Sequence, residues 1–468
     1  MFKNFIKTAF LAGLCVFAFS CKTEVIPGNT IQEEAEDLWG EDVIDIYEVN
    51  SFTDAAGLTR DALLRDKIQF TFVADLTKAA AEDLELTVSY DPSYTGGRLI
   101  PQEDVTLSNG GKVYVDKGHA HSSKLLVTVD TYDKSLEEGA YVVPLKVTAV
   151  DNKIELAEEA AQRVITLNLT ARPNMADKGE GAVKNILCPE TNDTNPLNVL
   201  DFVREDGKYF FDYVILFSGN INYKADENRV YVSNNSGIQL LLDRREEFLV
   251  PIQNAGIKVL LGLLGNHDAS GLAQLSDKGC AQFADDVKNV VETYDLDGVF
   301  YDDEYSNAPD LSNDLFASRS SERAARLMYE IKTRIPDKTC GAFVWGSMTG
   351  YSPVTVDGVP HEAKEFVDFL VANYGGSASP YGGMDKTWCS GLSREQNLQS
   401  GPCSESAGKS VVENGYGYTF FFAPYVQGSY RAREWQEVND VCKGLYNQGL
   451  KAQEVWYEKN NPEPISVK

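Results

Sequence analysis

Between Leu296 and Tyr305 the chain reads Leu-Asp-Gly-Val-Phe-Tyr-Asp-Asp-Glu-Tyr, an apolar run that ends in three consecutive acids. On an extended strand alternate side chains share a face, so Phe300, Asp302 and Glu304 point one way and Tyr301 and Asp303 the other. Two carboxyls then converge at the end of the strand. Like charges held that close, away from water, do not both ionise easily, and one proton is retained near neutral pH. A carboxylic acid that keeps its proton can give it to a departing oxygen, which is general acid chemistry. The same triplet also fits the opening of a solvated loop or a set of metal ligands, and these ten residues alone leave those readings open.

The elements that must position the acids follow a regular rhythm. An apolar strand spans Asp212 to Phe217, and the helix after it buries Leu241, Phe248, Ile252 and Ala255 before Gly256 stops it. The strand Ile257 to Leu264 follows. A second helix, with Phe283, Val287, Val291 and Tyr294 on one side, leads to the strand Leu296 to Tyr301. A third carries Ala324, Leu327, Ile331 and Ile335, and ends at Pro336 before the strand Cys340 to Trp345. Further strands are expected from Val367 to Val371 and Tyr416 to Phe422, with a poorly marked one around Met384 to Leu392. Strand–helix repeats with near-continuous apolar strands imply a parallel sheet covered by helices. Residues 182–460 are close to the roughly 250 residues of one (β/α)8 barrel, and the fold class expected is α/β, a TIM barrel. An open doubly wound sheet is the competing architecture.

Before residue 172 the pattern is different. Leu84, Leu86, Val88 and Tyr90 alternate on one face, as do Val143, Leu145, Val147 and Ala149, and Ile165, Leu167 and Leu169. Turn-forming stretches such as Tyr94–Gly97 and Asn109–Gly111 separate these runs, so a small all-β sandwich is expected over 41–172. Ala171 to Gly181, with Pro173, Asn174, Asp177, Gly179 and Gly181, reads as a linker.

Residues 1–20 hold Lys3, Lys7 and an apolar run from Thr8 to Phe19, an export signal too short to span a bilayer. Cys21 follows directly, placed as in the lipobox that it resembles, where the cysteine becomes the acylated N-terminus. The polar segment 21–40 then reads as a tether. An exported lipoprotein of the outer membrane, held to the membrane through Cys21, is the expectation. The formal charge is −27, and loss of Lys3 and Lys7 would take it to −29. Such a surface repels polyanions, so nucleic acid is not an expected partner, whereas a neutral sugar is indifferent to it. Of eight cysteines, six lie beyond Cys21, with no CxxC pair, and the four histidines include only one close pair, His119 and His121, which lies far in sequence from any cysteine. That spacing argues against zinc, and neither metal nor cofactor is expected. Cys389 and Cys403 could close a short loop, or all six could stay thiols.

The acidic stretch resembles the DxxDxDxE signature of glycoside hydrolase family 18, and more closely the DGVxFDDEY form of endoglycosidases H and F. Phe217–Tyr223 (FSGNINY), Lys258–Leu261 (KVLL) and Leu264–His267 (LGNH) are similar to segments of the same subgroup, in the same order. The resemblance implies an endo-β-N-acetylglucosaminidase that cuts the chitobiose core of N-linked glycans. It implies Glu304 as the acid that protonates the leaving oxygen. Asp302 would orient the substrate's 2-acetamido group, whose oxygen serves as the nucleophile, an exception among two-carboxylate glycosidases. Tyr374, beyond the sixth strand, would hydrogen-bond that acetamido group, and Asn266 and His267 would contact substrate, although a polar turn explains those two equally well. Phe300 departs from the family, whose members often have aspartate there. Its apolar ring would favour a raised pKa in a neighbouring carboxyl. Asp297, near the start of the strand, reads as a packing or capping residue. Trp345, Trp388 and Tyr425 could stack on sugar rings or fill the core. A chitinase and a catalytically silent glycan-binding protein are the alternatives to an endoglycosidase.

Overall fold

A computed structural model describes residues 43–48, 59–76, 79–132, 135–149, 155–156, 161–349, 353–424 and 429–466. The expected signal segment, the tether, Cys21 and Tyr425 lie outside the described residues. The chain divides into two compact units, Met1–Ala171 and Arg172–Lys468.

The first unit is all β. Its strands are β1 (Val43–Glu48), β2 (Thr59–Leu63), β3 (Lys67–Leu76), β4 (Leu84–Tyr90), β5 (Val105–Leu107), β6 (Lys112–Val115), β7 (Leu125–Asp130), β8 (Gly139–Ala149), β9 (Glu155–Leu156) and β10 (Gln162–Thr170). They form two five-stranded sheets, β5-β7-β3-β1-β9 and β2-β10-β8-β4-β6. Period-two alternation sends Phe70 and Phe72 of one sheet, and Leu86, Val143, Ile165 and Leu167 of the other, into one shared apolar core. A sandwich is the way two half-apolar sheets remove those faces from water.

The second unit is a barrel. Its strands are β11 (Lys184–Cys188), β12 (Tyr213–Lys224), β13 (Arg229–Asn234), β14 (Lys258–Gly265), β15 (Gly298–Asp302), β16 (Thr339–Val344), β17 (Val354–Val356), β18 (Val359–His361), β19 (Phe369–Ala372), β20 (Ser390–Glu395), β21 (Tyr418–Phe422), β22 (Val455–Tyr457) and β23 (Pro464–Ser466). Eight of them run parallel in the order β19-β16-β15-β14-β12-β11-β21-β20. A parallel bridge between Leu370 and Cys389 joins the two ends of that row, helped by the Ala372 N–H, which donates to Ser390 Oγ at 2.9 Å. The sheet therefore closes on itself, as a TIM barrel and not an open doubly wound sheet.

Alternation sorts the barrel strands into two cores. Ile186, Ile215, Leu260, Phe300, Phe369 and Phe420 fill the interior, while Leu187, Val214, Leu261, Val299 and Tyr301 face the surrounding helices. Phe300 lies between Phe369 and Phe420, with ring centroids 6.1 and 5.8 Å away. It is one layer of an aromatic stack that plugs the barrel below its carboxyl end.

The helices after β14 and β15 span Asp277–Thr293 and Ser321–Arg334, capped by Ser276 and Ser320. The helix after β12 differs from the expected single element. It is broken into Ser236–Asp243, Arg245–Phe248 and Val250–Asn254: Arg244 leaves the helical region at φ −109° and ψ 37°, and the last piece starts anew where Pro251 can donate no hydrogen bond to the preceding turn. Gly256 does end it, at φ +85°, where any Cβ would collide with the Asn174 side chain.

That contact bears on the stretch expected to be a linker, which in the structure belongs to the barrel unit. Ala176 is buried in the outer barrel core. The Lys178 ammonium reaches the Asp212 carboxylate at 2.8 Å, with only 2% of the lysine side chain exposed. Burial pulls Lys178 down and pushes Asp212 up, in each case outweighing the mutual attraction. Neither charge is comfortable without the other. A chain beginning at Gly179 loses the lysine and should be about 3–5 kcal/mol less stable than one beginning at Arg172. Denaturant midpoints measure this, and equal midpoints would mean that residues 172–178 contribute nothing to the barrel.

Candidate active site

All eight parallel strands finish at one end of the barrel, where loops can be varied without disturbing the core. Asp302 is the last residue of β15, the fourth barrel strand. It is 5% exposed, and its Oδ1 finds no hydrogen-bond partner among the described residues. Burial holds its carboxyl well above the usual carboxylate range, and the charges of Glu304 and Asp303 push it further. Glu304 lies two residues on and is half-buried. Burial raises it as well, the Trp345 indole opposes this with a hydrogen bond that favours the anion, and Asp303 adds to the rise. Two carboxyls at one barrel mouth are thus both biased toward keeping a proton.

Asp303 is buried too, and neither carboxylate oxygen has a hydrogen-bond partner among the described residues. It packs beside Gly346, where φ is +55° and a Cβ would come within 3.0 Å of the Asp303 carbonyl oxygen. This close approach sets Trp345 next to Glu304. The role of Trp345 is therefore tied to the acid as much as to any sugar.

Tyr374, two residues past β19, stacks on Phe422 at 5.8 Å and packs against Phe343 at 5.9 Å. Burial raises its phenol well above the ordinary range, and Asp302 and Glu304 lie close enough to add to the rise. The structure brings Tyr374 to the carboxyl pair. A cleft of about 670 Å³ opens beside it, lined by Val344, Asn373, Gly375, Gly376 and Tyr381.

Asn266 and His267 follow β14 directly and stand exposed on the rim. The Asn266 amide donates to Asn222 Oδ1 at 2.9 Å. The His267 N–H donates to the carbonyl of Tyr305 at 2.7 Å, and the two rings meet edge to face at 5.6 Å. The GNINY segment that supplies Asn222 is the outer half of β12, which runs on past the barrel and pairs with β13.

Other expected positions lie elsewhere. Trp388 precedes β20 and so sits at the opposite, amino end of the barrel, which removes it from any site built on strand ends. Asp297 precedes β15, where its carboxylate accepts from the Val259 N–H and the Gln253 amide, both at 2.9 Å, in a packing role. Cys389 and Cys403 flank β20 and are free thiols, like the other four cysteines among the described residues. Two acids that sequence reasoning missed join the mouth. Glu190 follows β11 and Glu395 ends β20, and burial raises both. Only their positions at or just past strand ends could have flagged them, and β11 and β20 are the least marked strands in the sequence. Glu190 also lines a cavity of about 250 Å³, with Asp193, Thr194, Asn397 and Leu398.

A closed eight-stranded barrel with a buried and a half-buried carboxyl at the end of its fourth strand, both raised above the ordinary carboxylate range, has the makings of a glycoside hydrolase. No family model matches the chain, but individual proteins do. It is 39% identical over 301 residues to endo-beta-N-acetylglucosaminidase F1 of Elizabethkingia meningoseptica, covering 63% of this chain and 88% of that protein. It is 36% identical over 139 residues to the endo-beta-N-acetylglucosaminidase of Flavobacterium sp. (strain SK1022), covering 30% and 43%. Among solved structures it resembles Bacteroides thetaiotamicron EndoBT-3987 with Man5GlcNAc product, at 37% identity and TM-score 0.61, over 90% of this chain and 99% of that one. The same protein with Man9GlcNAc2Asn substrate matches at 36% identity and TM-score 0.61, over 90% and 98%. The chain belongs to the endo-β-N-acetylglucosaminidase family, and it is a glycoside hydrolase of the endoglycosidase H and F type.

Proposed function

We propose that this enzyme hydrolyses the β-1,4 bond between the two core N-acetylglucosamines of N-linked glycans, with the substrate's acetamido oxygen as nucleophile. The observation that carries the reading is the placement of buried Asp302 and half-buried Glu304 at the end of the fourth barrel strand, the same end at which Tyr374 follows the sixth. Support for the bond comes from the relative whose substrate has two N-acetylglucosamines and whose product has one.

In the first step Glu304 gives its proton to the glycosidic oxygen as the C1–O bond breaks, and the acetamido carbonyl oxygen bonds to C1 from the opposite face. The ring that forms is an oxazolinium ion. Asp302 accepts the acetamido N–H and balances the positive charge that develops there. The Tyr374 hydroxyl donates to the acetamido oxygen and holds it for attack. In the second step the Glu304 carboxylate takes a proton from water as that water bonds to C1. The oxazoline C–O bond opens, and the configuration at C1 is retained. Asn266 and His267 contact the substrate at the rim. A lipid anchor at Cys21 would hold the enzyme at a membrane surface, within reach of glycoproteins outside the cell.

Incubation with a glycoprotein of defined glycans, followed by mass analysis of both products, tests the bond. One N-acetylglucosamine should remain on each processed asparagine. Release of the whole glycan, or activity on chitin oligomers alone, would overturn the assignment.

A further inference from the structure

Tyr305, directly after the acid, is held with unusual care for a residue that buries so little. Its backbone is left-handed at φ +60°, and that of its neighbour His267 is left-handed at φ +58°. Side chains bearing a Cβ adopt this conformation at a cost, and it persists where the surroundings enforce it. Here they do. The His267 N–H is bonded to the Tyr305 carbonyl at 2.7 Å, and the His267 carbonyl accepts from the Asn307 amide. Beneath them Gly265 allows the loops to touch, since a Cβ there would collide with the Glu304 carbonyl oxygen. Beside them the Asp268 carboxylate accepts from the Tyr223 N–H at 2.8 Å, the Asn222 amide at 3.0 Å and the Ser270 N–H at 2.7 Å, so Asn222, and through it Asn266, is fixed as well.

All this order supports a tyrosine that is 57% exposed, so its ring contributes little to the core. The ring belongs to the residue directly after Glu304 and meets His267 edge to face at 5.6 Å; the charge of Glu304 is the main influence raising its phenol, ahead of burial and of the charges of Asp302, Glu190 and Glu395. Exposed aromatic faces suit the apolar faces of pyranose rings.

We propose that Tyr305, backed by His267, forms the wall of the subsite for the leaving N-acetylglucosamine, the sugar that stays on asparagine. The proposal rests on the reading of Glu304 as the acid and adds which sugar the rim recognises. Glu304 must reach the oxygen that joins the two sugars. Asp302 and Tyr374 take the reacting sugar deep on the β19 side, and Trp345 fills the β16 side of Glu304. The β14 side, where Tyr305 and His267 stand, is left for the second sugar.

Two substrates separate this role from others: Man9GlcNAc2Asn, which carries the second sugar, and the oxazoline of Man9GlcNAc, which lacks it. In the full chain, Tyr305→Ala should lower kcat/KM on Man9GlcNAc2Asn by ~10–100-fold, the range expected for losing one buried aromatic contact. Hydrolysis of the oxazoline should stay within about twofold. Tyr305→Gly should repeat those kinetics while melting no lower than wild type, since glycine relieves the left-handed backbone. Tyr305→Phe should keep most of the activity, because the ring face does the work. Equal losses on both substrates, or no loss on the glycopeptide, would overturn the subsite. A wild type that turns over neither substrate would instead overturn the reading of Glu304 beneath it.

Discussion

Glu304→Gln should reduce turnover of Man9GlcNAc2Asn by at least the ~10²–10⁴-fold associated with losing a general acid, with little change in the affinity for that glycan. The amide matches the carboxyl in size and can still accept the Trp345 indole hydrogen bond that Glu304 accepts. What it lacks is a proton to give to the leaving oxygen. Burial and the neighbouring charge of Asp303 raise Glu304, so in the wild type the acid form persists to higher pH than an ordinary glutamic acid allows. The alkaline limb of kcat/KM should follow the loss of that proton, and the residual activity of the variant should lack this limb. Asp303→Asn offers a contrast. It removes a like charge that raises both Asp302 and Glu304, so it should move the alkaline limb to lower pH and leave the chemistry in place. Turnover and calorimetric titration with the same glycan measure both quantities. A variant that loses binding together with turnover would show that Glu304 holds the site open instead of supplying a proton.

Where strands alternate with amphipathic helices, the barrel was legible in the chain. β14, β15 and β16 fall within a few residues of the apolar runs that announce them, because the helices Asp277–Thr293 and Ser321–Arg334 separate them cleanly. Where that alternation lapses, the signal fades. Between β19 and β20 there is no α-helix, only irregular chain and the turn Lys386–Trp388, and β20 had no apolar periodicity on either side to frame it. Its residues Ser390, Ser393 and Arg394 are buried but polar, so hydropathy alone could not mark it. The segment 172–181 misled for another reason. Its glycines and proline are those of a linker, whereas its membership of the barrel depends on Lys178 finding Asp212, more than thirty residues away, and pairing at that distance leaves no local trace.

The site divides along the same line. Asp302 and Glu304 were visible because strand alternation is a local rule, and Phe300 facing the interior while Tyr301 faces the helices follows it. Tyr374, Asn266 and His267 could be given roles only through resemblance, since their positions after strands say which end of a barrel they occupy but not what they touch there. Trp388 shows the hazard: an aromatic near a strand is as easily at its start as at its end. Glu190 had no sequence signal that separated it from other acids, and Tyr305 had only its place at the end of the DDEY stretch, which says nothing of its role. What distinguishes them is placement over the mouth, and for Tyr305 a backbone conformation that only the folded loops impose.

Asp302→Asn should cut kcat by ~10²–10³-fold, the scale of losing one preorganised electrostatic partner of a developing charge, and yet make the folded protein more stable at neutral pH. The two effects have one cause. Burial comes first among the reasons that Asp302 is raised, with Glu304 and Asp303 behind it, so its ionised form is costly in the native barrel and cheap in the unfolded chain. Below the ordinary aspartate range the carboxyl is protonated in both states and the group costs nothing. As pH rises from there toward the raised native value, the unfolded chain releases its proton while the native protein keeps it. The native state then binds more protons, and stability falls with pH across that window. Above it the penalty is fully present. Asparagine carries no charge in either state and escapes it, so the melting temperature of the variant should exceed that of wild type near neutral pH, with the gap closing in acid. The retained cost of Asp302 is the signature of a site kept for chemistry at the expense of stability. The kinetic loss should lie in kcat, since the charge balanced by Asp302 exists only once the acetamido oxygen begins to attack. An oxazoline-mimicking thiazoline should bind the variant more weakly than wild type. Paired melting curves and kinetics across pH measure all of this. A variant less stable than wild type at neutral pH, or one impaired in KM alone, would show that Asp302 is ionised and comfortable in the resting enzyme, held there for structure and not for the positive charge of the intermediate.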